Sequence, residues 1–405
     1  MRKILLSLAL ALSAVAAWAG STAREQYTII VSLDAFRWDY SEAFDTPFFD
    51  QLAAQGVKAV MQPSFPSKTF PNHYTLATGL YPDHHGIVAN SFRSCVTGKR
   101  YAIGNEQAAK PDDYGGDPIW LTAKRQGVTT ATLYWVGSNV AVKGQHANYW
   151  HNYVRDSLMT FPERTHEVLR LLQLPEKQRP HLIMAYFEEP DESGHNFGPI
   201  SKHTRRVVES LDSLLGAMWQ RIQALPIAGQ VNLIITGDHG MTWIDSQHRV
   251  PVSRYIKPEW GTVDGSLPGF VYVNRPDYAD SVLAALKGVP HIWAWKRQDV
   301  PSYLHYGTNA SIGDVVVLPD VGWLWMDSKP GNDTAPLVRG GAHGFDNTAI
   351  DMQVGFRAIG PAFKQGYVKP QEFRNVCVYP LLCHLLGVQP SPCDGTLAEV
   401  QDMLR

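Results

Sequence analysis

Three apolar segments of the chain end on acidic or histidine residues. They are YTIIVSLD (27–34), HLIMAYFEEPD (181–191) and VNLIITGDHGM (231–241). Their hydrophobicity is continuous rather than alternating, which is typical of parallel strands that helices cover on both faces. Helical patterns lie between these segments, over residues 46–56, 162–174 and 203–225. The alternation predicts an α/β fold with a doubly wound, mostly parallel sheet and helices on both faces.

The N-terminus has the pattern of a secretory signal. Arg2 and Lys3 precede an apolar run that closes on the small-x-small triplet Ala17-Trp18-Ala19. This pattern predicts a signal peptide over residues 1–19. No later run approaches the roughly 20 apolar residues that a membrane span requires. We therefore expect an exported, soluble mature protein, periplasmic or secreted, over residues 20–405.

One later segment differs in composition from the predicted α/β core. Residues 245–340 are richer in Gly, Pro and Trp, and contain one short strand pattern, FVYVN (270–274). The core pattern returns at GGAHGFDN (340–347). We expect an insertion around residues 245–340.

Charge and cysteine content exclude some classes of partner and site. The formal net charge is −2 and the chain has no lysine/arginine block, so we expect no binding of nucleic-acid polymers and no membrane anchor. Four cysteines lack a CxxC spacing, which argues against a cysteine-based zinc site. We expect the cysteines to form disulfides or to be buried, and the sequence leaves three complete pairings possible; they are Cys95, Cys377, Cys383 and Cys393. The sequence also leaves the oligomeric state open.

The ends of the apolar segments carry groups that can bind metal. In open α/β sheets, ligands bind beyond the carboxyl ends of the strands, and the candidates there are Asp34, Asp191, Asp238 and His239. His195 follows Asp191 by four residues, so both side chains can reach one point from a single helical turn. His343 lies between glycines in a predicted loop. Taken singly, each has an ordinary alternative as a turn, cap or solvated loop residue.

Together, the three aspartates and three histidines indicate a metal centre. Mixed imidazole and carboxylate ligands suit zinc better than magnesium or calcium, which prefer oxygen alone. Six such ligands match two zinc ions that each keep positions open, the arrangement that stabilises in-line displacement at phosphorus. The expected cofactor is therefore two Zn²⁺ per chain.

Thr69 stands where the segment FPSKTFPNHY turns from a loop into a helix. A threonine at this place is most often an N-cap. Next to a metal centre, however, its hydroxyl can be activated, and the helix N-terminus adds partial positive charge. The candidate ligands therefore favour Thr69 as a nucleophile over the cap alternative.

Five motifs in chain order resemble the nucleotide pyrophosphatase/phosphodiesterase family of the alkaline phosphatase superfamily. They are SLDAFRWDY (32–40), FPSKTFPNHYTLATGLYPDHHGIVANSF (65–92), AYFEEPDESGHNFGP (185–199), TGDHGM (236–241) and GAHGFDN (341–347). The resemblance extends over essentially the whole mature chain. It implies an alkaline phosphatase-like catalytic domain over residues 20–405.

The resemblance also implies a role for each site residue. One zinc ion would be bound by Asp34, Thr69, Asp238 and His239, and the other by Asp191, His195 and His343. Thr69 matches the nucleophile of the family, and Asn90 matches an asparagine that donates a hydrogen bond to a phosphoryl oxygen. Tyr186 matches an aromatic residue that lines the substrate pocket and can stack on a base, whereas its place in an apolar strand alone favours core packing. His73, His84 and His85 are expected to be structural.

The implied activity is zinc-dependent hydrolysis of phosphodiester or pyrophosphate bonds of small nucleotides. It would release nucleoside monophosphate through a covalent phospho-threonine on Thr69. Alternatives are a phosphodiesterase of lysophospholipid, sphingomyelin or glycerophosphocholine-type diesters and a phosphomonoesterase of the same superfamily. A monoesterase needs extra positive charge at the phosphate. Neither Arg37 nor Arg93 is convincingly placed for that, and Lys68 adjoins the nucleophile, so diesters are weakly favoured.

Overall fold

The structure is a computed structural model that describes residues 26–102, 109–152, 158–327 and 339–405. Its strands are β1 Tyr27–Leu33, β2 Val57–Gln62, β3 Ser91–Arg93, β4 Arg100–Ala102, β5 Thr130–Leu133, β6 Tyr149–His151, β7 Leu182–Phe187, β8 Val231–Thr236, β9 Thr242–Asp245, β10 Arg249–Val250, β11 Gly261–Asp264, β12 Gly269–Val273, β13 Ile292–Lys296, β14 Val315–Pro319, β15 Leu324–Trp325, β16 Arg339–Ala342, β17 Val354–Ile359, β18 Tyr367–Val368 and β19 Phe373–Arg374. Its α-helices are α1 Tyr40–Ala43, α2 Pro47–Gln55, α3 Thr69–Thr78, α4 Pro82–His85, α5 Ile119–Arg125, α6 Phe161–Leu172, α7 Asp191–Phe197, α8 Lys202–Gln223, α9 Tyr278–Leu286 and α10 Val378–Leu386.

The main sheet has the strand order β18-β2-β17-β8-β1-β7-β5-β6, and β19 also pairs with β2. Strands β8, β1, β7, β5 and β6 run parallel to one another, and β17 is antiparallel to both of its neighbours. The prediction of a mostly parallel sheet is confirmed. Its three predicted central strands are adjacent in the order β8-β1-β7, so their carboxyl ends meet at one edge.

Two hydrophobic cores lie on opposite faces of this sheet. Along β1, Ile29 and Val31 pack into one core with α2, α6 and α8, while Ile30 packs into the other with α3, α5 and α10. Every residue of β1 is buried, which is why its sequence is apolar without alternation. The prediction that helices cover both faces is confirmed.

A second sheet contains β11, β12, β14 and β13, all paired antiparallel, with α9 packed against it. It falls within the segment 245–340 for which the sequence predicts an insertion. Residues 328–338 of that segment lie outside the described residues, and the division into domains stays a prediction.

The structure tests the expectations about export and about the cysteines only in part. The expected signal peptide, residues 1–19, lies outside the described residues, so export to a periplasm or medium stays a prediction. No helix among the described ranges combines the length and hydropathy needed to cross a bilayer. All four cysteines are described and none forms a disulfide; Cys377 and Cys383 are buried, whereas Cys95 is exposed.

Candidate metal centre

The adjacency of β8, β1 and β7 brings the distant acidic motifs together. Asp34 follows β1 directly, Asp238 and His239 follow β8, and Asp191 begins α7 just after β7. The loop after β16 carries His343, and β16 is held beside the site by antiparallel pairing with β9. All six candidate ligands therefore reach the same edge of the sheet.

Three of these ligands, Asp34, Asp238 and His239, form what we call the inner set. The Nε2 atom of His239 lies 3.0 Å from Asp238 Oδ2 and 3.4 Å from Asp34 Oδ1. The side chains of the inner set are no more than 3% exposed. The Asp238 carboxylate is fixed by a hydrogen bond of 3.1 Å from the backbone N–H of Ala35.

The other three ligands, Asp191, His195 and His343, form the outer set. Asp191 lies 3.4 Å from the Nε2 atom of His195 and 3.6 Å from that of His343. The His195 side chain is 40% exposed and that of Asp191 is 18% exposed. The ligand atoms of the outer set lie within 4.8 Å of one another, and Asp191 is also within this distance of Asp34 and His239. The two sets are therefore in contact through Asp191.

The donor atoms of both sets fit metal ions. One buried carboxylate oxygen on each of Asp34, Asp191 and Asp238 has no hydrogen-bond partner within the described parts of the chain. Orphaned buried acceptors are costly, so these oxygens require a cation or donor. Mixed carboxylate and imidazole donors favour zinc. Zinc binding, and the number of ions, stay predictions.

The histidine rings are oriented so that Nε2 faces the centre. Each ring places Nδ1 on a backbone carbonyl: His195 on Gly341 at 2.8 Å, His343 on Ser67 at 2.9 Å, and His239 on Gly240 at 2.8 Å. Because the Nδ1–H donates, the neutral ring keeps its lone pair on Nε2, which is the tautomer that a metal needs.

The electrostatics of the carboxylates agree with a cation site. Burial and the charges of Asp238 and Asp191 raise the pKa of Asp34 well above its ordinary value. Burial also raises the pKa of Asp191. A bound cation would relieve this concentrated negative charge and hold both groups ionised.

Thr69 is the first residue of α3, and the N-cap position belongs to Lys68. The Thr69 hydroxyl lies 3.2 Å from His239 Nε2, and only 8% of the residue is exposed. The cap alternative for Thr69 is therefore not what the structure shows, and its hydroxyl faces the inner set. Asn90 lies beside it, because its Oδ1 accepts a hydrogen bond of 3.0 Å from the backbone N–H of Phe70.

Tyr186 does not have the exposed position that the family resemblance implies. It is only 3% exposed, its ring packs edge-on against His73 at 4.9 Å, and its hydroxyl donates a hydrogen bond of 2.6 Å to Asp34 Oδ2. A ring that is only 3% exposed is mostly covered by the protein, which argues against stacking on a base; that role stays a prediction. Tyr186 instead holds an inner-set carboxylate and leaves the other oxygen of Asp34 for a metal.

The nearby histidines make contacts within the fold, as expected for structural residues. His73 places Nδ1 2.9 Å from the carbonyl of Thr69 and Nε2 2.8 Å from Ser32 Oγ. His85 contacts Thr75 Oγ1 at 3.0 Å, and burial lowers its pKa to about 3. His84 pairs with Asp394 at 2.7 Å, away from the centre.

Neither arginine near the motifs is available for a phosphate. Arg37 is engaged by Asp39, Asp351 and the carbonyl of Met241. Arg93 packs over the ring of Tyr272. Lys68 is a basic side chain whose charge does interact with the candidate ligands Asp191 and His343, and desolvation lowers its pKa to about 8.

Some groups of the site could not be identified from the sequence. The carbonyls of Ser67, Gly240 and Gly341 orient the histidines, and a backbone oxygen is present whatever the residue type. The Tyr186 contact with Asp34 depends on which face of β7 the ring occupies, and on the pairing of β1 with β7. Only the position of Lys68 beside Thr69 could have drawn attention to it.

Known proteins resemble this chain over most of its length. A model of the family described as type I phosphodiesterase / nucleotide pyrophosphatase matches residues 28–346. Ectonucleotide pyrophosphatase/phosphodiesterase family member 7 of Rattus norvegicus is 33% identical in an alignment of 423 positions that covers 99% of this chain and 93% of that protein. A venom phosphodiesterase of Crotalus durissus collilineatus is 34% identical over 389 residues, but these are only 46% of its length. This chain thus spans about half of some curated relatives.

Solved structures of relatives have the same fold. The structure of murine ectonucleotide pyrophosphatase/phosphodiesterase 5 superposes with a TM-score of 0.87 and is 32% identical, covering 94% of this chain and 100% of that one. A second structure of the murine protein, an inactive threonine-to-alanine variant in complex with AMP, gives the same TM-score of 0.87. The fold and the family-wide match agree, and this chain belongs to the type I phosphodiesterase / nucleotide pyrophosphatase family.

Proposed function

We propose that this protein hydrolyses phosphodiester or pyrophosphate bonds of small nucleotides and releases nucleoside monophosphate. The observation that carries the proposal is the position of the Thr69 hydroxyl, 3.2 Å from His239 Nε2, at the start of a helix and beside two contiguous sets of metal ligands. A hydroxyl at this place can attack the phosphorus of a substrate held by metal ions that these two ligand sets would bind.

We assign one zinc ion to the inner set with Thr69, and a second to the outer set. When bound, zinc supplies positive charge for the phosphoryl oxygens and lowers the pKa of oxygen nucleophiles, each worth several kcal/mol in such sites. The side chains contribute the arrangement: carbonyl-tethered imidazoles and hydrogen-bonded carboxylates hold the donor atoms in place before substrate arrives.

Thr69 then forms the bond to phosphorus, and the leaving group departs from the opposite side, giving a covalent phospho-threonine. Hydrolysis of this ester by water restores Thr69 and releases the nucleoside monophosphate. Asn90 assists both steps. Because its Oδ1 is occupied by the N–H of Phe70, its amide nitrogen is the group left to donate to a non-bridging phosphoryl oxygen.

Diesters are the substrate class that the charges favour. A monoester brings an additional anionic oxygen, for which an arginine is the usual partner. Arg37 and Arg93 are both engaged within the fold. The AMP complex of the murine relative supports a nucleotide as the retained part of the substrate.

The test compares a nucleotide diester with a monoester in zinc-replete protein. Thymidine 5′-(p-nitrophenyl phosphate) should be hydrolysed at least about a hundredfold more efficiently than p-nitrophenyl phosphate, since recognition and charge both favour the diester. Thr69→Ala should reduce turnover of the diester about a thousandfold or more while zinc content, measured by mass spectrometry, stays unchanged. An active alanine variant would remove threonine from the mechanism, and preference for the monoester would favour a phosphatase.

A further inference from the structure

The side chain of Lys68 occupies space that is open because a nearby residue, Gly344, has no side chain. It occupies the N-cap position of α3 with extended backbone, and its side chain passes over Gly344. A Cβ atom on Gly344 would lie 2.4 Å from Cε and 3.0 Å from Nζ of Lys68. Gly344 also has a φ of +109°, a conformation that other residues rarely adopt. The path of the lysine therefore depends on a glycine beside the ligand His343.

Hydrogen bonds fix the segment that carries Lys68 to the loop of His343. The Ser67 carbonyl accepts from His343 Nδ1 at 2.9 Å. The Ser67 hydroxyl donates to the Phe345 carbonyl at 3.0 Å and accepts from the Gly344 N–H at 3.1 Å. The main chain one residue before Lys68 is thus tied to the loop that carries His343.

The ammonium group of Lys68 lies beside Gly344, the residue after His343, and has no close partner of its own. Its charge interacts with Asp191 and His343. Across the described residues, its Nζ forms no hydrogen bond and no ion pair. A partly buried cation that no side chain neutralises, one residue from Thr69, is suited to bind an anionic oxygen.

The direction of the reaction identifies that oxygen. Thr69 contacts His239 of the inner set, so an in-line displacement sends the leaving group away from it, towards the outer set where Lys68 lies. We propose that Lys68 binds an anionic oxygen on the leaving group, and that the site therefore favours pyrophosphate-linked nucleotides over diesters that release a neutral or aromatic alcohol. This inference rests on the proposed function.

The experiment uses two substrates that transfer the same thymidylate to Thr69. These are thymidine 5′-triphosphate, whose leaving group is pyrophosphate, and thymidine 5′-(p-nitrophenyl phosphate), whose leaving group is a phenol. Lys68→Met keeps an unbranched apolar stem as far as the ε position and removes the charged ammonium group. It should lower kcat/KM for the triphosphate by about 10- to 100-fold, the range for a charged hydrogen bond, and for the phenyl ester by less than about threefold.

Two further variants keep the outcome interpretable. Lys68→Arg should retain most of the preference for the triphosphate, and Lys177→Met, at an exposed site, controls for the loss of one positive charge. Zinc content of each variant verifies that the centre is intact. An equal loss with both substrates would assign Lys68 a structural role and overturn the inference. Failure of the unmodified protein to hydrolyse either substrate would instead overturn the proposed function.

Discussion

The inner and outer ligand sets differ in exposure although they share one edge of the sheet. The inner set lies directly beyond the strands β1 and β8, and its side chains are at most 3% exposed. The outer set is carried by a short helix and a loop; His195 is 40% exposed and Asp191 18%, whereas His343 is only 4% exposed. Under the proposed mechanism, this difference would let one centre serve two tasks: the buried set would hold the nucleophile, and the more open set would admit water and the leaving group.

Removing one imidazole from each set tests this division most severely. His239→Ala should lower diesterase turnover by about a thousandfold or more, since it removes the ligand that contacts Thr69. His195→Ala should have a smaller effect, and added imidazole should restore part of its activity because the site is open to solvent. Activity with and without imidazole, together with zinc content, gives the measurement. Rescue of both variants, or of neither, would break the comparison.

Asn90→Ala sharpens the comparison from the side of the substrate. Asn90 belongs to neither set, so zinc content should remain that of the unmodified protein. Loss of a donor to the phosphoryl oxygens should still lower kcat about a hundredfold. Metal analysis and steady-state kinetics on the same sample distinguish the two effects. Loss of zinc from this variant would show that Asn90 acts through the metal centre instead.

The smallest expected effect concerns the support of the inner set. Tyr186→Phe removes the hydrogen bond to Asp34 and should reduce zinc affinity or activity by about tenfold, the lower end for contacts that orient metal ligands. Tyr367→Phe is a matched control, because it removes a Tyr–Asp hydrogen bond of 2.7 Å to Asp402, away from the centre. Zinc titration with a competing chelator measures both. Identical zinc affinities in the two variants would leave Tyr186 with a packing role only.

The sequence predicted those parts of the structure that depend on pattern. Continuous apolar runs located β1, β7 and β8, and amphipathic patterns located α2, α6 and α8 within a few residues of their ends. The parallel arrangement then required the strand ends to meet, which is why Asp34, Asp238 and His239 could be grouped without coordinates. Asp191 was placed at a strand end, and the structure has it at the start of α7, four residues beyond β7.

The sequence did not predict features that depend on side-chain direction or on the main chain. The family resemblance implies a substrate contact for Tyr186, but its ring is buried and packs in a T-shaped contact with His73. The space that the Lys68 side chain occupies depends on the absence of a side chain at Gly344, which is distant in sequence. Neither contact follows from composition or periodicity, since both are set by tertiary packing between separate loops.

The tethering of imidazoles by carbonyl oxygens determines where the centre is vulnerable to mutation. Changing the chemistry of a side chain does not delete a main-chain oxygen, so the ring orientations tolerate many substitutions. The size of the side chain does matter at Gly240 and Gly341. A Cβ atom on Gly240 would lie 2.1 Å from the Asp351 carbonyl, and one on Gly341 would lie 2.5 Å from the Gly194 carbonyl. A single added methyl group there would collide with the main chain and force a shift of backbone beside the carbonyls that orient His239 and His195. Inactivating variants of this enzyme family member can thus arise at positions that have no functional group at all.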